Sequence, residues 1–270
     1  MKMKFDHDYH IHSELSECSS DPRQSTENIL KYAKENGLKR ICLTDHFWDE
    51  DVPGASDWYK AQNLAHISRA KPLPDDSSVE FLFGCETDMD KFFTVGMSDK
   101  CYDNFDFVII PTTHLHMTGF TITPQDKADN ERIAELWVKR LDRLLDMPLP
   151  FHKIGIAHLA CSLLNNRSRE DYLHSLSLIR DEDMERVFEK AAKVGVGIEI
   201  NLFDMCFAEQ ERETVLRMFK IAKAKGCKFY FGSDAHHPSD FEGAREMAER
   251  TVELLGLTED DEFHIMRKTK

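Results

Sequence analysis

The sequence predicts an α/β fold, a small barrel or an open sheet of strand and helix units, on three observations. Short apolar runs alternate with longer stretches of helical period. Several of those stretches close on a glycine, the usual C-terminal stop of a helix. No proline-, glycine- or serine-rich linker divides the chain, so its 270 residues read as a single domain, 1–270.

The expected strands are 5–12, 38–45, 80–86, 105–112, 153–158, 196–201 and 227–233. Between them lie amphipathic stretches at 26–36 (closed by Gly37), 125–146, 181–194 (closed by Gly195), 209–225 (closed by Gly226) and 240–255. Residues 47–78 resist assignment as a strand and are expected to hold one helix in a long excursion. An excursion after a strand commonly lids a pocket. Neither an internal repeat nor a low-complexity tract is present.

Composition narrows the classes. With 49 acidic against 35 basic residues the net charge is −14, which disfavours a long phosphate backbone as partner while leaving small anions open. The first residues, MKMKFDHDYHIH, lack the apolar core of a signal peptide, and the run Phe107 to Pro111 is too short to cross a bilayer. A soluble cytoplasmic protein is expected. Seven cysteines, an odd number without a CxxC pair, point to neither a disulfide framework nor a zinc ribbon.

The placement of histidines is more specific. Of thirteen, six fall at or just beyond the C-terminal end of an expected strand: His10, His12, His46, His114, His158 and His236. Parallel α/β barrels build their sites at that end. In Asp8-Tyr9-His10-Ile11-His12 the two imidazoles are two residues apart, so an extended backbone turns both the same way while Tyr9 and Ile11 face the opposite layer. Two converging imidazoles suit a divalent transition metal, and Asp8 is placed to accept a hydrogen bond from a ligand's second ring nitrogen. Later strands deliver Asp45-His46, Glu86, His114, His158 and Asp234-Ala235-His236 at the same relative height. Core packing does not require that repetition, and buried ionisable groups need partners. His7 lies on the opposite strand face, His66, His152, His174 and His264 sit in helices or connections, and His237 reads as a pocket-rim residue.

Taken in order, DYHIHSELSECSSD, LTDH, FGCE, DFVIIPTTH, IAHL and GSDAH resemble the polymerase and histidinol phosphatase (PHP) superfamily over nearly the whole chain. The resemblance implies a distorted seven-stranded, TIM-like (β/α)7 barrel with two to three divalent ions, Zn, Mn or Fe, at the C-terminal ends of its strands. It implies a first metal on His10, His12, Glu86 and Asp234, and a second sharing Glu86 and adding His114 and His158. A third would take His46, His236 and a ligand from the loop after His12, where Glu17 matches the acidic form and Cys18 is the softer neighbour. His116 follows His114 at strand spacing and is its alternative.

Such a cluster makes a cationic pocket inside an acidic protein, matched to a phosphate monoester. The implied activity is hydrolysis of a small phosphorylated substrate by a metal-bridging hydroxide, with Glu86 and Asp234 central to catalysis and L-histidinol phosphate the first named substrate. The proton donor to the leaving alkoxide is open among Asp8, His116 and a metal-bound water. The arginine clamps of the stand-alone phosphatases are missing from their usual places, since Arg167 and Arg169 come late after His158. A phosphodiesterase or nuclease for nucleotide ends, a carbon–nitrogen hydrolase of the amidohydrolase type and a non-catalytic metal-binding domain are the rival readings. Oligomeric state is left open.

Overall fold

The computed structural model describes residues 1–19 and 21–265. Its strands are β1 (His7–Ile11), β2 (Arg40–Leu43), β3 (His46–Phe47), β4 (Glu80–Phe83), β5 (Cys85–Thr87), β6 (Val108–Ile109), β7 (Ile154–Ile156), β8 (Gly197–Asn201) and β9 (Lys228–Gly232). They pair in two sheets, β1-β2-β4 and β3-β5-β6-β7-β8-β9, with every ladder parallel.

The α/β class and the seven strand positions are as expected, but the single barrel ladder is not. The expected 38–45 strand stops at Leu43 and resumes past its expected end as β3, and the expected 80–86 strand is cut in two. The first breaks at Thr44-Asp45, where side chains divert the chain: Thr44 Oγ1 accepts the Ile11 N–H at 3.0 Å, and Asp45 accepts Ser13 N–H at 2.7 Å. The second breaks at Gly84, where a Cβ would lie 2.5 Å from the Phe107 carbonyl oxygen. Only glycine allows that approach. The far ends of the two sheets meet through one parallel bridge, Ile11 to Ala235, flanked by Asp234 N–H to His10 O at 2.7 Å.

The ladder register also slips between Asp8 and Ile11. Strict alternation therefore fails in β1: Tyr9 packs in the smaller cluster with Phe107, Ile109 and Tyr230, whereas Ile11 joins the main core.

The helices are α1 (Thr26–Glu35), α2 (Asp57–Lys60), α3 (Leu64–Ile67), α4 (Pro124–Lys127), α5 (Asn130–Leu145), α6 (Arg169–Leu178), α7 (Asp181–Val194), α8 (Arg212–Ala224) and α9 (Ala244–Leu255). The expected 125–146 helix is divided because Asp129 caps α5, accepting from Glu131 N and Arg132 N. The 47–78 excursion holds α2 and α3 rather than one helix, capped by Ser56 and Asn63. Helix α6 was not expected. Tyr172, Ser175 and Leu176 are buried in it, but Leu173 and Leu178 widen its apolar surface beyond one stripe. Among the described residues no helix is long and apolar enough to cross a membrane.

Candidate metal centre

Strand ends carry the site. His10 Nε2 and His12 Nε2 stand 3.0 Å apart, each 3.3 Å from Asp234 Oδ1. Glu86 reaches both sides of the cluster. Its Oε2 lies 3.0 Å from His46 Nδ1, 3.4 Å from His12 Nε2 and 3.5 Å from His10 Nε2. Its Oε1 lies 3.2 Å from His158 Nε2 and 4.0 Å from His114 Nε2. Three groups of ligand-type atoms result: His10, His12 and Asp234; Glu86, His114 and His158; and His12, His46 and His236. His236 stacks on His12 with ring centroids 4.0 Å apart.

The outer ring nitrogens show that these groups fit divalent cations. His10 Nδ1 donates to Glu199 Oε1 at 2.6 Å and His114 Nδ1 to Asp88 Oδ2 at 2.9 Å, because a carboxylate oxygen can only accept. Ser16 Oγ gives its proton to Asp45 at 2.8 Å and so accepts from His12 Nδ1 at 2.9 Å. Thr113 likewise donates to the His158 carbonyl and accepts from His158 Nδ1 at 3.0 Å. His236 Nδ1 donates to the Asp234 carbonyl at 2.8 Å. Each of these five imidazoles, when neutral, thus carries its proton on Nδ1 and leaves Nε2 as a lone pair. Two such lone pairs facing at 3.0 Å between His10 and His12 repel unless a cation, either a proton or a metal, lies between them. His46 Nδ1 is buried without a hydrogen-bond partner despite its closeness to Glu86, as a nitrogen reserved for a metal would be.

Electrostatics agree. Burial works against charge on every group here. For Glu86 it is outweighed by His46 and His10, and for Asp234 by His10, His12 and His236, so both carboxyls are held well below their usual range. Burial depresses His236 to about 3, assisted by His12, which keeps that imidazole neutral. Burial lowers His10 and His158, but Asp234, Glu199 and Glu86 around the first and Glu86 beside the second more than compensate, raising His158 to about 9. The anionic cluster binds protons where it would otherwise bind metal.

Two residues are held in strained backbone. His158 has φ 31° and Asp234 φ 55°, values that cost a non-glycine residue about 1–3 kcal/mol. Glu199 anchors the first by accepting His158 N–H on Oε2 at 2.7 Å, and Asn201 Nδ2 reaches Asp234 Oδ2 at 3.3 Å. Gly232 makes room for this support, since a Cβ there would overlap Glu199 Oε1 and lie 2.6 Å from His10 Cβ. Sequence reasoning missed Glu199, Asn201, Asp88, Ser16 and Thr113.

Of the residues expected at the site, His10, His12, His46, Glu86, His114, His158, Asp234 and His236 are brought together. Asp8 is not in the cluster. It lies deeper in β1 and accepts from Ser233 N at 2.9 Å and Tyr32 Oη at 3.1 Å; the ring-nitrogen partner expected of it is Glu199 instead. Burial raises its carboxyl to about 6. Glu17 is exposed, with its N–H held by Gln62 Oε1, while Cys18 lines the cavity beside His46 and His236. His116 lies on the cavity wall, edge-on to His114, and outside the three ligand groups. His237 pairs with Asp21 at 2.6 Å, away from the cluster. His7 belongs to a separate group with Asp6 and Glu262, but Nε2 accepts Phe231 N–H at 3.1 Å and Nδ1 faces Asp6 at 3.0 Å, leaving no ring nitrogen for a metal.

The cluster opens into a cavity of about 550 Å³ walled by α2 and the 116–120 loop. A match to the PHP domain model spans residues 8–202. The chain belongs to the PHP domain family. Two curated relatives, each named "Probable phosphatase", resemble this PHP domain protein. One, from Caldicellulosiruptor saccharolyticus, is 27% identical over 224 residues, covering 83% of this chain and 78% of that one. The other, from Caldicellulosiruptor bescii, is 23% identical over 236 residues, covering 87% and 82%. The fold matches that of histidinol phosphate phosphatase from Lactococcus lactis, crystallised with zinc, L-histidinol and phosphate, at TM-score 0.62 and 16% identity over 94% of this chain and 95% of that one.

Proposed function

We propose that this PHP domain protein is a metal-dependent phosphomonoesterase acting on a small phosphorylated substrate, with two to three divalent ions, Zn, Mn or Fe, at its centre. The observation that carries the reading is Glu86, whose two carboxylate oxygens face different sets of imidazoles. A carboxylate so placed is suited to bridging two ions. In this reading His10, His12 and Asp234 serve one ion with Glu86, and His114 and His158 serve the second. His46 and His236 serve a third. The phosphatase names of the curated relatives, and the zinc and phosphate bound by the structural neighbour, support the same chemistry. We read the chain as one domain and its two sheets as a distorted barrel.

Bound divalent ions would supply hydroxide at neutral pH and neutralise phosphoryl charge. The chain's own residues hold that arrangement in place. Glu199 fixes the ring of His10 and the backbone of His158, Asn201 turns Asp234 inward, and Asp88 orients His114. Protein purified with Mn or Zn should hydrolyse p-nitrophenyl phosphate and lose that activity on chelation, and L-histidinol phosphate is the first natural ester to assay. Full metal content with no turnover of any phosphate monoester would overturn the proposal.

A further inference from the structure

The cavity that opens onto the cluster is walled by Trp58, Tyr59, Met117, Phe120 and Leu163, together with Cys18, Ser56, His116 and Thr118. Among the described residues no lysine or arginine lines it, and the carboxylates that do are Glu86 and Asp234, both facing imidazoles. The first arginines after His158 are engaged elsewhere: Arg167 donates to the Ala128 carbonyl at 2.7 Å, and Arg169 pairs with Glu211. Tyr59 is fully buried and spends its hydroxyl on Asp88 at 3.3 Å, so it backs the wall behind Trp58 and offers the cavity no donor. Trp58 stands edge-on to His46, with ring centroids 4.9 Å apart, and to Tyr59 at 4.7 Å. An aromatic wall therefore begins where the ligand imidazoles end.

Resting on the phosphomonoesterase reading, we infer that the substrate's leaving group is an uncharged aromatic or bulky apolar alcohol seated against Trp58, Met117, Phe120 and Leu163. The phosphoryl group is neutralised at the cluster, with no arginine clamp. A sugar or glycerol would find hydrogen-bonding side chains in Ser56, His116 and Thr118 but would set its remaining hydroxyls against carbon, at the cost of unpaired hydrogen bonds. An ammonium-bearing alcohol, L-histidinol included, would find among the described residues no carboxylate beyond the two turned to the imidazoles, so L-histidinol phosphate should be turned over less well than an aromatic ester without charge on its alcohol. A phenyl ring loses nothing and gains from leaving water.

The test is a selectivity panel on the metal-loaded enzyme, using esters whose alcohols are comparably poor leaving groups: benzyl phosphate, glycerol phosphate and phosphoethanolamine. Benzyl phosphate should lead in kcat/KM by roughly ten- to a hundred-fold. Benzylphosphonate, which cannot be hydrolysed, should bind more tightly than methylphosphonate by calorimetry, by a similar factor. Trp58→Ala should shrink both ratios by about tenfold. Leu163 is half-buried in a short turn, so Leu163→Asp tolerates the change should Trp58→Ala misfold, and it should move the preference toward phosphoethanolamine. Equal kcat/KM for the three esters, or ratios unmoved in both variants, would overturn the inference and leave the phosphatase reading standing. If the loaded enzyme hydrolyses none of them or any other phosphate monoester, both fall together.

Discussion

Glu199 accepts the Nδ1 proton of His10 at 2.6 Å on one oxygen and the backbone N–H of His158 at 2.7 Å on the other, so one carboxylate positions two histidines of the cluster that are far apart in sequence. Partners of this type make an imidazole more basic and fix its ring, and their loss typically costs ten- to a hundred-fold in metal affinity or activity. Glu199→Gln should therefore weaken metal binding by about that factor while the fold persists. Chelator competition with a metal-sensitive dye reads the affinity, and wild-type retention would show that Glu199 is only a packing element.

The contrast between Glu199 and the ligands shows what was legible. His10, His12, His46, Glu86, His114, His158, Asp234 and His236 fall at or just beyond the ends of the strands expected from sequence, where polarity interrupts an apolar run, and period and position suffice to find them. Glu199 sits inside the buried strand Gly197–Asn201, and a charged residue in such a run was a signal that needed a partner to interpret. That partner is 189 residues away in sequence. The strand breaks at Thr44-Asp45 and Gly84 were hidden for a similar reason. They depend on what crosses the gap, and local pattern is silent about that. Helix α6 was missed because helical period is visible only where one face is buried.

Glu86 provides the sharpest test of the two-ion scheme. Glu86→Gln keeps the shape but removes the charge that faces His46, His10 and His12 on one oxygen and His158 and His114 on the other. Most bound metal should be lost, and kcat should fall by roughly three orders of magnitude or more, since the nucleophile goes with the ions. Elemental analysis alongside steady-state kinetics checks both. Near-normal turnover at full metal content would sink the scheme.

Once loaded with divalent ions, the cluster should hold a small dianion despite the chain's net charge of −14. Inorganic phosphate is expected to inhibit competitively, and the metal-free protein should not bind it. Calorimetry on both forms distinguishes the cases. Phosphate binding that survives chelation would place the anion on protein groups instead.

Glu17 is exposed and Cys18 lines the cavity, which reverses the order of preference for the loop contribution beside His46 and His236. Glu17→Ala should leave metal content and turnover within about twofold of wild type, the usual range for a surface change. The group formed by His12, His46 and His236 contains only imidazoles, so its ion should be the first removed by a mild chelator. Loss of one ion per chain in Glu17→Ala would show that the loop closes inward when metal binds.

Arg140 is buried on α5 and donates to four carbonyls: Thr112 at 2.9 Å, Met89 at 2.5 Å, Asp90 at 3.1 Å and Thr121 at 3.3 Å. It also lies 3.6 Å from Asp88 Oδ1, and Asp88 in turn holds the ring of His114. No other side chain can replace that fork, because lysine offers one nitrogen where the guanidinium offers three. Arg140→Leu would strand the carbonyls and leave Asp88 without its cation, so the variant should lose about 3–5 kcal/mol of stability. Urea unfolding should be compared on chelated samples, since bound metal would stabilise the native state by mass action and blur the difference. Because Asp88 orients His114, the folded fraction of Arg140→Lys should also hold metal at the Glu86, His114 and His158 group about tenfold more weakly than wild type. A variant with lower stability and unchanged metal affinity would mean that Arg140 braces the loops without setting the ligand. Wild-type stability in both substitutions would show that water satisfies those carbonyls equally well.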